Sequence, residues 1–172
     1  PAVGAAAGQA GREAVNLGRI PTPARASVAL SSSKGSIMVT CSHIPFERNG
    51  YKTNSRRGEL LKQQEAPINE QGRKVRKRLY EQPFDQSRFD ERGMLKGGHQ
   101  SLPVENGEAR AEYIKRFTDF FAGSSLNGKR LLVDQHSAVG RDLLVEIRAR
   151  LGAQVGKGGR RGRVVPSSTE RT

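Results

Sequence analysis

One cysteine in 172 residues rules out much of what cysteines do: Cys41 has no second thiol in the chain to form a disulfide, and no zinc site of the paired-cysteine kind can be built. Histidine is nearly as scarce. His43, His99 and His136 are widely separated in sequence, and none stands at metal-ligand spacing from another. There is no tryptophan, aromatic residues make up 5% and apolar residues 34%, a thin core for a chain of this length. Either much of it is loop, or it packs against something further. No run of about 18 apolar residues occurs, so no membrane-spanning helix is expected. The opening PAVGAAAGQAGREAV lacks the basic-then-apolar pattern of a secretory signal, and it lacks an initiating Met. A processed or incomplete chain is expected, in a reducing compartment such as the cytoplasm.

What the chain has in abundance is positive charge and glycine. Thirty Lys and Arg against seventeen Asp and Glu give a net charge of +13, and there are 20 glycines. Such a charge favours phosphate-bearing partners without choosing among small phosphates, nucleic acids and acidic surfaces.

The Gly/Ala-rich residues 1–15 read as loose. Residues 18–24 (GRIPTPA) end an extended piece and open a helix over 24–30, with Thr22 as N-cap and Pro23 in the first helical position. Residues 36–40 (SIMVT) are short, apolar and β-branched, which predicts a buried strand, and a helix feeding a neighbouring strand is α/β grammar. A loop over 41–50 with Pro45 and the turn pair Asn49-Gly50 leads to a second strand at 51–53, and residues 56–58 make its turn. A brief helix over 59–65 is expected to end at Ala66-Pro67. Residues 68–103, with the basic run 73–78 and a Gly-rich stretch, predict mostly loop with one helical stretch. Order returns in an amphipathic helix over 108–121, where Ile114, Phe117 and Phe121 fall at core spacing. A strand near 128–134 and the loop 135–138 follow, then a helix bearing Leu143, Leu144, Ile147 and Leu151 that Gly152 terminates, and a strand near 153–155. The remaining tail is basic and Gly-rich. The expected organisation is 1–105, loop-rich at its end, and 106–172, the opening of a second α/β unit with that tail.

The chemistry concentrates in VTCSHIPFERNGYKTN, residues 39–54. A serine that accepts and donates a phosphoryl group needs an exposed turn at the end of a rigid strand, and Ser42 has that placement. His43 beside it can manage protons, and Lys52, beyond the Asn49-Gly50 turn, can neutralise phosphate oxygens. By itself this pattern reads first as a polar turn, since loops satisfy such spacings often. For His136 and Ser137 the preferred reading is loop polarity, with Ser137 capping a helix and no catalysis assigned.

Four stretches in order turn the pattern into a family resemblance. T-C-S-H-I-P followed by N-G-Y-K resembles the phosphoserine loop of the α-D-phosphohexomutases, the phosphoglucomutase and phosphomannomutase family. GRIPTPA is similar to that family's G-R-x-P-T-P-A, SIMVT to its strand entering the loop, and residues 135–142 (QHSAVGRD) to the first loop and helix of its second domain. The resemblance covers residues 16–66 and 106–155. It implies an incomplete phosphohexomutase-like α/β/α first domain joined to the first β-α unit of a second. It further implies an isomerase of carbohydrate metabolism that interconverts hexose 1-phosphate and 6-phosphate through a hexose 1,6-bisphosphate. Ser42 would be the phosphoserine and its phosphate one ligand of Mg²⁺, with His43 and Lys52 assisting proton transfer and charge neutralisation.

The sequence also departs from the pattern. Cys41 and Ile44 replace a small residue and an Asn, and the family's D-G-D-x-D-R metal loop has no counterpart in these residues. A chain inactive by itself is therefore expected. The alternative is a basic nucleic-acid-binding protein or a non-functional remnant. The basic runs 73–78 and 157–163 carry no interleaved aromatic to stack on bases, so solvated charge is the preferred reading of both.

Overall fold

The structure, a computed structural model, describes residues 1–40, 48–97, 101–122 and 125–163. They form two packed units, one of Pro1–Asn16 with Leu60–Glu105, the other of Leu17–Glu59 with Asn106–Thr172.

The first unit is helical and turn-rich. Residues read as loose form α1, Ala2–Gln9, because alanine has the highest helix propensity and offsets the cost of Gly4 and Gly8. The helix buries no residue. The second helix, α3, spans Lys62–Tyr80 and runs through Pro67, where a stop was expected. Its start is set by the Gln64 side chain, which accepts a hydrogen bond from the Leu61 N–H at 2.8 Å. Past the proline its residues are chiefly Glu, Gln, Lys and Arg, which lose little rotamer freedom in a helix. Glu70 pairs with Arg73 and Lys74, and Lys77 with Glu81, so part of the basic run is neutralised along the helix itself. Beyond α3 the chain turns on Asp90, whose Oδ1 accepts from the N–H groups of Arg92 and Met94. The Lys96 ammonium donates to the Phe84 carbonyl and lies 4.2 Å from the centre of its ring.

The second unit is mixed α/β. Helix α2, Thr22–Ser31, starts two residues earlier than expected, with Pro21 in the N-cap position. Thr22 lies inside the helix, and its hydroxyl donates to the Met38 sulfur at 3.0 Å. Strands β1, Ser36–Thr40, β2, Gly50–Ser55, and β3, Gly58–Glu59, form an antiparallel sheet in which Ser36 faces Asn54 and Thr40 faces Gly50. Strand β1 lies where the sequence predicts it, but Ile37 and Val39 are half exposed. In a strand successive side chains alternate between faces, and α2 packs on the side of Ser36 and Met38, leaving Ile37, Val39 and Tyr51 on the opposite, open side.

Helix α4, Glu108–Phe120, strand β4, Arg130–Asp134, helix α5, Arg141–Arg150, and strand β5, Gln154–Gly158, complete this unit. Strands β4 and β5 are parallel and joined through α5, a β-α-β crossover. Ile114, Leu143, Ile147 and Leu151 form one buried cluster, flanked by Tyr113, Phe117 and Leu126. Ile20, Ala24 and Ala109 form another, against which Leu17, Val28 and the same Tyr113 pack. Of the expected stripe on α4, Ile114 is buried and Phe117 partly so. Phe121 falls at the C-cap and is exposed, since the helix ends before another turn can carry it inward. Gly152 follows the C-cap at φ +95, a left-handed conformation that glycine adopts without strain.

Glu146 of α5 ties the two helices together. It accepts from Arg110 of α4 at 2.6 Å and from Arg150 Nε and Nη2 at 3.1 and 2.9 Å. Burial alone would raise its pKa, but these hydrogen bonds and the two positive charges outweigh that and hold it below the usual carboxylate range. A depressed folded-state pKa adds stability above the unfolded value of about 4.3, lost as pH falls through the folded one. Glu146→Gln is expected to lower stability by about 1 kcal/mol or less at neutral pH. The difference from wild type should vanish in acid, and urea titrations across that window measure it. A pH-independent difference would contradict the assignment.

Candidate active-site loop

Ser42 and His43 lie in residues 41–47, outside the described residues. The residues flanking them are described. Thr40, the last of β1, and Gly50, the first of β2, are Cα partners in the ladder, so the loop 41–49 is closed at its base by a strand pair. Lys52 follows on β2, opposite Met38, and is exposed.

Arg25 is the residue that sequence reasoning missed. It is buried at 5% exposure, its Nη1 donating to the Ser36 carbonyl, the Ser36 hydroxyl and the Lys52 carbonyl at 3.2, 3.1 and 2.9 Å, and its Nη2 to Asn54 Oδ1 at 2.7 Å. Burial lowers its pKa and the nearby Glu59 charge partly restores it. One signal was available. Arg25, Val28 and Ala29 recur at i, i+3 and i+4, so the arginine stands in the inward stripe of α2.

In the same unit, the loop after β4 carries buried Gln135, with His136 and Ser137 beside it. Gln135 donates its amide to Asp142 Oδ1 at 3.3 Å, and Arg160 donates to the same oxygen at 2.8 Å. The Arg160 hydrogen bond is the main reason that Asp142 is held below its ordinary pKa. His136 Nδ1 and Ser137 Oγ are 3.0 Å apart, and α5 takes Gly140, not Ser137, as N-cap because the helix begins at Arg141. Among the described residues no group of three or more His, Cys, Asp or Glu side chains converges as a metal site. The described residues therefore do not fit a Mg²⁺ ligand set, which needs several oxygens in near-octahedral array. None of the described helices is long and apolar enough to cross a membrane.

Comparison with known proteins agrees with the loop's sequence. Residues 1–78 match the family model described as phosphoglucomutase/phosphomannomutase, alpha/beta/alpha domain I. A phosphomannomutase of Salmonella muenchen is 35% identical over 169 residues, covering 98% of this chain and 31% of that protein. A phosphomannomutase of Sinorhizobium fredii is 34% identical over 173 residues, covering 96% of this chain and 32% of that protein. The chain thus spans about a third of the length of the curated relatives it matches. With the family match running from α1 into α3 and both relatives aligned along nearly all of its residues, the comparisons support the phosphohexomutase family of phosphoglucomutases and phosphomannomutases for this chain.

Proposed function

We propose that this chain is the phosphoserine-bearing part of a phosphohexomutase, an intramolecular phosphotransferase that interconverts hexose 1-phosphate and hexose 6-phosphate through a hexose 1,6-bisphosphate. The observation that carries the reading is the loop 41–49. It carries C-S-H-I-P directly after Thr40, it is closed at its base by the Thr40–Gly50 strand pair, and Lys52 follows two residues beyond Gly50.

In the transfer, the Ser42 oxygen forms a bond to a phosphorus of the bisphosphate and the bond from that phosphorus to the sugar oxygen breaks. The hydroxyl proton of Ser42 ends on the departing sugar oxygen, with His43 as its carrier. Lys52 offsets the charge on the transferring oxygens. The chain has no D-G-D-x-D-R sequence, and by this reading it does not complete the full cycle alone. The enzymes of this family are generally Mg²⁺-dependent, and the remaining ligands would come from outside the described residues.

Incubation of the chain with glucose 1,6-bisphosphate and excess Mg²⁺, followed by peptide mass mapping, tests the assignment. Phosphate is expected on Ser42 and absent from Ser42→Ala. Phosphate on another residue, or on none while the chain is folded, would refute it.

A further inference from the structure

We infer that Arg25 is a positioning residue for the Ser42 loop: one buried guanidinium on α2 bonds both strands that carry the loop and so fixes their placement. The inference rests on the phosphoserine reading of Ser42.

The geometry is specific. Arg25 reaches Ser36 on β1, whose last residue immediately precedes the loop, and Lys52 and Asn54 on β2, whose first residue immediately follows it. The Lys52 carbonyl is one of its acceptors, so the peptide carrying the cation proposed to meet phosphate is itself held. A planar fork with fixed donor directions can set a backbone in this way; a flexible ammonium does so less well, and an apolar side chain not at all.

Stability alone does not explain an arginine here. A buried guanidinium is costly to desolvate, its four acceptors are neutral, and its Nε is buried with no hydrogen-bond partner. Apolar residues that replace buried charged groups are often neutral or favourable for stability. What an apolar side chain in the same stripe would lose is the directed bonding to two strands. Displacements of about 1 Å in groups that position reactants can lower rates about a hundredfold.

The test compares Arg25→Leu, Arg25→Lys and wild type in two measurements on the full chain. The first is the rate of phosphate uptake by Ser42 from glucose 1,6-bisphosphate, and the second is amide hydrogen exchange. Arg25→Leu is expected to keep the wild-type melting temperature within a few degrees and to take up phosphate about thirtyfold more slowly or worse. Its exchange at residues 36–40 and 50–55 should rise about tenfold, while exchange at Leu143 and Ile147 stays unchanged. Arg25→Lys should recover part of both losses, which a side chain that only fills space would not require. Wild-type uptake together with unchanged exchange in Arg25→Leu overturns the inference. Should Arg25→Leu fail to fold, Asn54→Ala, which removes one acceptor and leaves the arginine, carries the test in the same direction at about fivefold. If wild-type Ser42 takes no phosphate, the phosphoserine reading falls, and the exchange measurement still decides whether Arg25 holds the two strands.

Discussion

Replacing Leu143 with alanine is expected to destabilise the second unit by about 3 to 4 kcal/mol. Leu143 is among the largest fully buried side chains, at 2% exposure, and its cluster with Ile114, Ile147 and Leu151 joins α4 to α5. Truncation removes the transfer free energy of the lost carbons and leaves a cavity that this small cluster has few side chains to fill. A domain whose total stability is roughly 5 to 15 kcal/mol loses much of it. The neighbouring Leu144 is 41% exposed, and its truncation should cost under about 1 kcal/mol. Urea midpoints measure both. Equal shifts for the two leucines would show that the cluster is not the core of this unit.

The second large effect is expected from adding volume. Ala24 is fully buried and Ala109 nearly so, in the cluster where α2 and α4 pack against each other. Ala24→Leu should cost about 1 to 3 kcal/mol, because the added carbons can be housed only by separating the helices or by forcing side chains out of their rotamers. Ala24→Ser adds little volume and should cost less. Thermal melts of the two variants give the comparison. A leucine variant as stable as wild type would mean that the close approach of these helices is not needed.

The parts of the fold that were legible in sequence combine a periodic apolar pattern with a chemical stop. On α5, Leu143, Ile147 and Leu151 recur at helical spacing and Gly152 supplies the left-handed residue after the cap. The motif over residues 40–45 stands out in the sequence for a different reason, as a string of particular residues and not as a pattern of burial, and most of it lies outside the described residues. Periodicity could not say which side of β1 faces the helix, because an apolar run reads the same whichever face is covered. Ile37 and Val39 therefore came out exposed. Helices α1 and α3 bury no residue, so no inward stripe announced them, and propensity and local ion pairs carry them instead. Arg25 was missed because arginine ordinarily belongs to solvent, so its place in the inward stripe of α2 was outweighed, and the acceptors that let it stay buried lie on the neighbouring strands.

The second unit joins Leu17–Glu59 to Asn106–Thr172, with Leu60–Glu105 assigned to the other unit. During synthesis, α2 and the strand pair at the base of the Ser42 loop emerge well before α4, the helix that covers Ala24. Until α4 arrives, the inner side of α2 has only β1 and β2 to rest on. Long sequence separation slows folding more than it weakens the final state, since the entropy of closing a loop grows only logarithmically with length. The cluster of Ile20 and Ala24 with Ala109 is therefore expected to close only once α4 has emerged, and chains halted before it are expected to leave Ile20 and Ala24 open to non-native contacts.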